Sequence, residues 1–353
     1  MYSYSDFWQW FTQHEQQFFQ VIKEDNDIEE NFFVPLGNEL NKIRPGFYYM
    51  AGLQKDEIAE LILTADGDIK NIVFIEELLA TAPQIDNWVF TTHKPAMDIK
   101  DIKIGMAGFE FNSDKLYFYA NELPYYPDEI DITVVHPDYT EDNESMILNG
   151  VYIFLDNALG EINFATTIDN LTVSHPDQAE QPLVPIYKLR DFLVWRQKEF
   201  IEKYEGKRYI TEEDNYNTFE AELDNGNPFF ALINMDLLDW DAKASHPWML
   251  SIELDYGNTP EHQGMPHTDE VLQLLNDIED NISNKLIDKD GYLNIGRETS
   301  AGIRTVYFAC KEFRHCSKVL SSIQDKYETM MSIDYTIYKD KYWRTFDRFL
   351  PKY

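Results

Sequence analysis

Cysteine is nearly absent from this chain: Cys310 and Cys316 are the only two among 353 residues. Two cysteines do not make a disulfide framework. Both are read as reduced and mostly buried, Cys310 at a strand end and Cys316 inside the following helix. Basic residues are scarce as well. Thirty Lys and Arg stand against 63 Asp and Glu, a net charge of −33. At that charge a phosphate backbone is repelled, and no run of Lys and Arg makes a local basic patch. Direct binding to nucleic acid or to an anionic membrane is therefore not expected, whereas a basic protein partner is compatible with the charge, as is plain solubility. Long apolar runs are missing too, since none approaches the ~20 residues of a membrane span. The opening Met1-Tyr-Ser-Tyr-Ser-Asp6 has neither a basic n-region nor an apolar h-region. The expectation is a cytoplasmic protein without a signal peptide.

The familiar catalytic signatures are also missing. There is no Gly-x-x-x-x-Gly-Lys-Ser/Thr, Gly-x-Gly-x-x-Gly, His-Glu-x-x-His or Gly-x-Ser-x-Gly. No cofactor, no metal and no catalytic residue is assigned, which leaves open whether the chain is an enzyme. His262 and His267 with Glu261 could ligate a metal, but the main reading is an exposed loop before a helix. Cys310, His315 and Cys316 are soft ligands close in sequence, yet a strand end and a helix face point them apart. Asp288-Lys-Asp290-Gly291 has the glycine two positions early for a calcium loop and reads as a hairpin turn. Glu76-Glu77 is a carboxylate pair on a helix, with Glu77 read as solvated.

What the chain does have is apolar material and order. Hydrophobic residues make up 44% and aromatics 15%, enough for packed cores in two or three α+β units of this total length. The last hundred residues spell a β-α-β-β-α-β program, the ferredoxin-like unit. Trp248–Tyr256 alternates apolar and polar residues. A helix over 269–286 carries Val271, Leu274, Leu275, Ile278, Ile282 and Leu286 on one stripe. Strands at 292–297 and 303–309 form a hairpin, a second helix carries Phe313, Cys316, Leu320 and Ile323, and a last strand covers 331–338. Two helices cover one sheet face, so the other face needs a cover: the preceding hairpin, the first domain or a partner.

Upstream, the spacing predicts a helix over 5–23 capped by Ser5, with Phe7, Trp8, Phe11, Phe18, Phe19 and Ile22 on a wide apolar stripe. Further expectations are a helix over 28–43, strands at 47–52 and 57–64, a helix at 69–81 and a strand at 88–92. Strands are read at 102–111, 115–120, 130–135 and 163–173, and a helix at 143–159 capped by Gly160. The α-β-β-α-β order of this half echoes that of the C-terminal half. The proline-rich stretch 174–185 is the best linker, followed by an amphipathic helix over 186–204. Asn225-Gly226 turns a hairpin between 216–223 and 229–234. The fold class is α+β in two domains, 1–178 and 209–353, with 179–208 as linker and helix; the second domain is ferredoxin-like with an antiparallel sheet.

Trp248–Tyr256, Gly264-Met-Pro266, Gly296-Arg-Glu-Thr299, Arg304-Thr-Val-Tyr-Phe308 and the aromatic spacing of Trp343–Leu350 together resemble DUF695, a domain family of unknown function, over roughly 210–351. That family is related in fold to the regulator of ribonuclease E activity B, an acidic ferredoxin-like protein that inhibits a ribonuclease. The resemblance implies the fold; it implies the inhibitor role more weakly, because function does not travel with this superfold. In the N-terminal part, Glu60-Leu-Ile-Leu-Thr-Ala-Asp-Gly67 and Asn157-Ala-Leu-Gly-Glu161 are similar to uncharacterised bacterial proteins, with no activity attached.

Four residues are singled out as a ligand- or partner-binding set: Arg297, Glu298, Arg304 and Trp343. The two arginines flank one hairpin in a base-poor chain and could clamp a carboxylate or phosphate; the main reading is a cross-strand ion pair with Glu298 or the acidic surface. Trp343 with Phe346 could line an aromatic groove or cap the core edge. The leading functional expectation is a non-catalytic protein-interaction or regulatory module with a basic partner. The alternative is a small-molecule binder or enzyme using a cleft between the domains.

Overall fold

The computed structural model describes residues 2–54, 57–258, 264–266 and 268–351. The chain divides into two compact units, Met1–Glu199 and Phe200–Tyr353. Among the described residues no helix is long and apolar enough to cross a membrane.

In the first unit, α1 (Tyr4–Glu24) starts ahead of the expected position because Ser3, not Ser5, is its cap. The Ser3 hydroxyl accepts from the Asp6 N–H at 3.2 Å and the Asp6 carboxylate accepts from the Ser3 N–H at 2.8 Å, a reciprocal capping box. One π turn, Glu29–Phe33, leads into α2 (Val34–Ile43). Strands β1 (Tyr48–Gln54), β2 (Ile58–Thr64) and β3 (Trp88–Thr92) form a sheet in that order, with α3 (Ile72–Ala80) connecting the parallel pair β2 and β3. The apolar stripe of α1 is core: Phe11 meets Trp88 edge-on at 5.0 Å and Trp8 meets Phe90 at 4.7 Å.

A hairpin follows where one strand was expected over 102–111. It consists of β4 (Lys103–Met106) and β5 (Phe109–Asn112). Ala107 and Gly108 both take positive φ, 51° and 87°, the two-residue turn that matches strand twist. The next sheet runs β8-β7-β6-β9, from β6 (Tyr117–Asn121), β7 (Asp131–Val135), β8 (Asn170–Ser174) and β9 (Val184–Pro185). Helix α4 (Glu144–Leu159) ends at Gly160 as expected. The strand expected over 163–173 is two elements: α5 (Glu161–Thr167), begun immediately after Gly160, and then β8. Phe111, Phe118, Ile132, Val134, Val151 and Phe154 are buried in one core. The stretch 174–185 holds a 3-10 turn at Pro176–Gln178 and β9, and Ile186, Leu189 and Leu193 join the same core at the start of α6 (Leu189–Tyr204). The similar element order of the two halves does not extend to topology, since β2 and β3 pair in parallel.

The second unit is one six-stranded sheet, ordered β10-β11-β13-β14-β12-β15, in which every neighbouring pair is antiparallel. Its strands are β10 (Tyr216–Glu222), β11 (Pro228–Asn234), β12 (Trp248–Asp255), β13 (Tyr292–Ser300), β14 (Ile303–Cys310) and β15 (Ser332–Lys339). The helices are α7 (Met235–Leu238), α8 (Asp269–Ser283) and α9 (Arg314–Tyr327). From β12 onward the chain reads β-α-β-β-α-β and the order β13-β14-β12-β15 is the ferredoxin-like arrangement. The β10–β11 hairpin adds two strands to its β13 edge. The face away from α8 closes with the unit's own residues: Met249, Leu293 and Ala309 pack with Leu237, Leu238, Trp343, Phe346 and Phe349.

Candidate functional site

The sheet has six strands, but its two long helices α8 and α9 belong to the four of the ferredoxin-like unit. The added hairpin runs out beyond α8 and leaves a wedge of open space. This cleft, about 360 Å³, is lined by Thr218, Phe230, Leu232, Met265, Pro266 and Leu272, with Thr299 and Arg304 as its polar floor and Arg297 beside them. The register explains the gathering. Thr218 pairs with Leu232 and Leu232 with Arg297; one row along, Phe230 pairs with Thr299 and Thr299 with Arg304. Cross-strand partners share a face, so two rows of side chains project toward α8.

Helix α8 answers with a row of its own, Leu272, Asn276 and Glu279, at helical spacing. Glu279 accepts from Arg297 Nη1 at 2.7 Å through one oxygen and from Arg304 Nη1 at 2.7 Å through the other. Arg304 Nη1 also donates to Asn276 Oδ1 at 3.1 Å, and its Nε to Thr299 Oγ1 at 3.3 Å. The Arg304 side chain is 5% exposed, that of Glu279 13% and that of Arg297 35%. The two arginines do clamp a carboxylate, and it is one from the same chain. Arg304 is locked, whereas the Arg297 guanidinium stands at the mouth of the cleft.

Residues 214–351 match DUF695, a family of unknown function. No curated protein and no solved structure matches the chain.

Every residue of the cleft lies inside the DUF695 segment. The Gly264-Met-Pro266 loop is tied to the β13–β14 hairpin, because Gly264 O accepts from Gly302 N at 2.8 Å and from the Tyr256 hydroxyl at 2.6 Å. The remaining residues of the expected set separate from the arginines. Glu298 follows Arg297 on a strand and so faces the other way. It pairs there with Arg348. Burial pushes the Glu298 carboxyl up, against the pull of that guanidinium. Trp343 is 1% exposed and donates its indole N–H to His246 O at 3.0 Å inside the core of the opposite face. The residues sequence reasoning missed are Glu279, Asn276 and Thr299 with the apolar walls of the cleft. Cys310 and Cys316 are free and buried. Glu261, His262 and His267 lie outside the described residues. Among the described residues no three or more His, Cys, Asp and Glu side chains are arranged to hold a metal ion.

Gly296 controls the floor of the cleft. Its φ is +144°, and a Cβ there would collide with the Leu232 carbonyl oxygen and come within 3.0 Å of Ile233 Cα. Both are backbone atoms of β11, which cannot swing aside. Gly296→Ala is therefore expected to destabilise the chain by about 1–3 kcal/mol in urea unfolding, through overpacking and strain together. Gly226, at φ +79° with nothing within 4 Å of its would-be Cβ, is the control. Gly226→Ala carries only the conformational part, about 1 kcal/mol. Equal losses would show that the approach of β11 to β13 is not tight.

A second polar cluster lies in the first unit and joins its two resemblance segments. Glu161, 1% exposed, accepts from the Thr64 hydroxyl, from Gly67 N at 3.2 Å and from Lys94 N at 3.2 Å. His93 Nδ1 stands 3.6 Å from the same carboxylate, on a residue whose φ is +59°. Burial alone would raise the Glu161 carboxyl. His93, the Thr64 hydroxyl and the two backbone N–H groups outweigh it and hold it at about 2. Beside them Lys94 Nζ bridges Asp66 at 2.8 Å and Asp156 at 2.9 Å. This arrangement stitches three loops together.

Proposed function

We propose that the protein is a non-catalytic interaction module whose DUF695 segment takes a basic, extended stretch of a partner protein along β10. The observation that supports this most is the edge of the sheet. β10 is the terminal strand, with six of its seven residues exposed. Exposed edges template strand addition. The flanking sequence sets the charge of what can pair there. Residues 211–224 hold six acids, Glu212, Glu213, Asp214, Glu220, Glu222 and Asp224, and no Lys or Arg. Such a strand repels a second copy of itself and attracts a cationic chain.

The test is retention of host proteins on the immobilised full-length chain, compared with Glu220→Lys/Glu222→Lys, at low salt and then along a salt gradient. A basic protein held by wild type, released at moderate salt and bound at least tenfold more weakly by the charge-reversed chain supports the reading. Equal retention by both chains overturns it.

A second reading, binding of a small molecule, is favoured by one observation: the cleft beside α8 presents a guanidinium at its mouth over apolar walls.

A further inference from the structure

We infer that this cleft is a binding site for a singly charged carboxylate carrying a small apolar body, an inference that rests on the small-molecule reading above and names its ligand class. Three features of the cleft select that chemistry.

The first is the donor set. The Arg297 side chain is hydrogen-bonded through Nη1 alone, to Glu279, among the described residues. Its Nε and Nη2 remain as a second, parallel pair of donors, the fork that matches a carboxylate edge-on. Glu279 fixes the plane of that fork from behind and Arg304 holds Glu279, so a ligand would meet a preorganised group and lose little freedom in ordering it.

The second is the charge. Among the described residues the charged groups in the lining are Arg297 and Arg304. Glu279 neutralises one of the two, leaving one positive charge. One negative charge on the ligand completes the balance. A phosphate dianion would leave an excess in a molecule whose net charge is already −33, and that long-range field opposes multiply charged anions most.

The third is shape. Phe230, Leu232, Leu272, Met265 and Pro266 present apolar surface next to the fork, and the volume of about 360 Å³ sits at the small end of ligand pockets. Methionine adds an adaptable wall. A bare anion would leave this apolar surface wet; a branched or short-chain carboxylate covers it.

The experiment is isothermal titration of the full-length chain, with ligand-observed NMR as a second readout, using 4-methylpentanoate as probe and 4-methylpentanamide, acetate and inorganic phosphate as comparators. The expected result is saturable one-to-one binding of 4-methylpentanoate. The amide and acetate should each bind at least tenfold more weakly, the first losing the charge and the second the apolar body. Arg297→Ala should lose at least tenfold. Leu272→Glu, at a position 43% exposed in the fold and so tolerant of a polar side chain, should lose binding independently of Arg297. Unchanged affinity in both variants overturns the site. Phosphate binding more tightly than 4-methylpentanoate overturns the ligand class but leaves a small-molecule cleft standing. No saturable binding of any of the four overturns both.

Discussion

Glu279→Ala is expected to lower the unfolding midpoint of the full-length chain by on the order of 10 °C, corresponding to about 3–5 kcal/mol in a unit of this size. Glu279 is hydrogen-bonded to both arginines, and Arg304 is almost fully removed from water. Taking the carboxylate away leaves a buried guanidinium whose acceptors, among the described residues, are Asn276 and Thr299. The penalty belongs almost entirely to Arg304. Arg297 is about one-third exposed, so water takes over its half of the interaction and that half contributes little. Arg297→Ala should therefore be mild, below about 1 kcal/mol. Glu279→Gln keeps an acceptor but loses the charge and should fall between. The pair Glu279→Leu with Arg304→Met tests the origin of the loss: it removes both buried charges and should recover most of the stability lost in Glu279→Ala, because the cost comes from the orphaned ion and not from the missing attraction. A shift of less than about 2 °C in Glu279→Ala, by scanning calorimetry, would show that Arg304 finds water.

How far the sequence reaches can be judged at this same cluster. Arg297 and Arg304 flank a hairpin, and their proximity was legible from the turn at Ala301-Gly302 alone. Period-two alternation also separates Glu298 from Arg297. The third member was not legible as a contact, because Glu279 comes from a helix whose rotation about its axis is set by packing. A trace of it exists in the sequence: Leu272, Asn276 and Glu279 fall on one line flanking the stripe of Leu275, Ile278 and Ile282. The strong periods carried the ferredoxin-like program, from the strict alternation of β12 to the stripe of α8. Local exceptions escaped them. Ala107-Gly108 folds back without the asparagine that usually announces such a turn. Residues 163–167 read as the start of a strand, yet Gly160 ends one helix and the buried Glu161 opens another that runs through them. The cover of the opposite sheet face was open among three candidates. It is Trp343, Phe346 and Phe349 after the last strand, together with the turn after β11, a long-range closure that no local pattern encodes.

The Glu161 cluster gives the second large effect, a stability that fades in acid. The folded state holds this carboxyl at about 2, while an unfolded chain would hold it near 4.3. The group is depressed on folding, so its contribution is fully present above about pH 4.3 and is lost as pH falls toward 2. At 1.36 kcal/mol per unit, the stability at stake is on the order of 3 kcal/mol. Other carboxylates titrate in the same window, among them Glu39, whose hydrogen bonds from Lys42 and Tyr2 lower it despite partial burial. The diagnostic quantity is therefore the difference between wild type and Glu161→Gln. At pH 7 the variant should be less stable by up to that amount, as the amide cannot accept equally from Thr64, Gly67 and Lys94 and places a donor among donors. Between pH 4.5 and 3 the gap should narrow, because wild type loses what the variant never had. Urea unfolding followed by tryptophan fluorescence at four or five pH values measures it, with Trp88 and Trp8 in the adjoining core as reporters. A gap that stays constant from pH 7 to pH 3 would mean that the Glu161 carboxyl is not held ionised by its neighbours, and the loop junction would then owe its order to packing around Leu63 and Leu159 rather than to the buried charge.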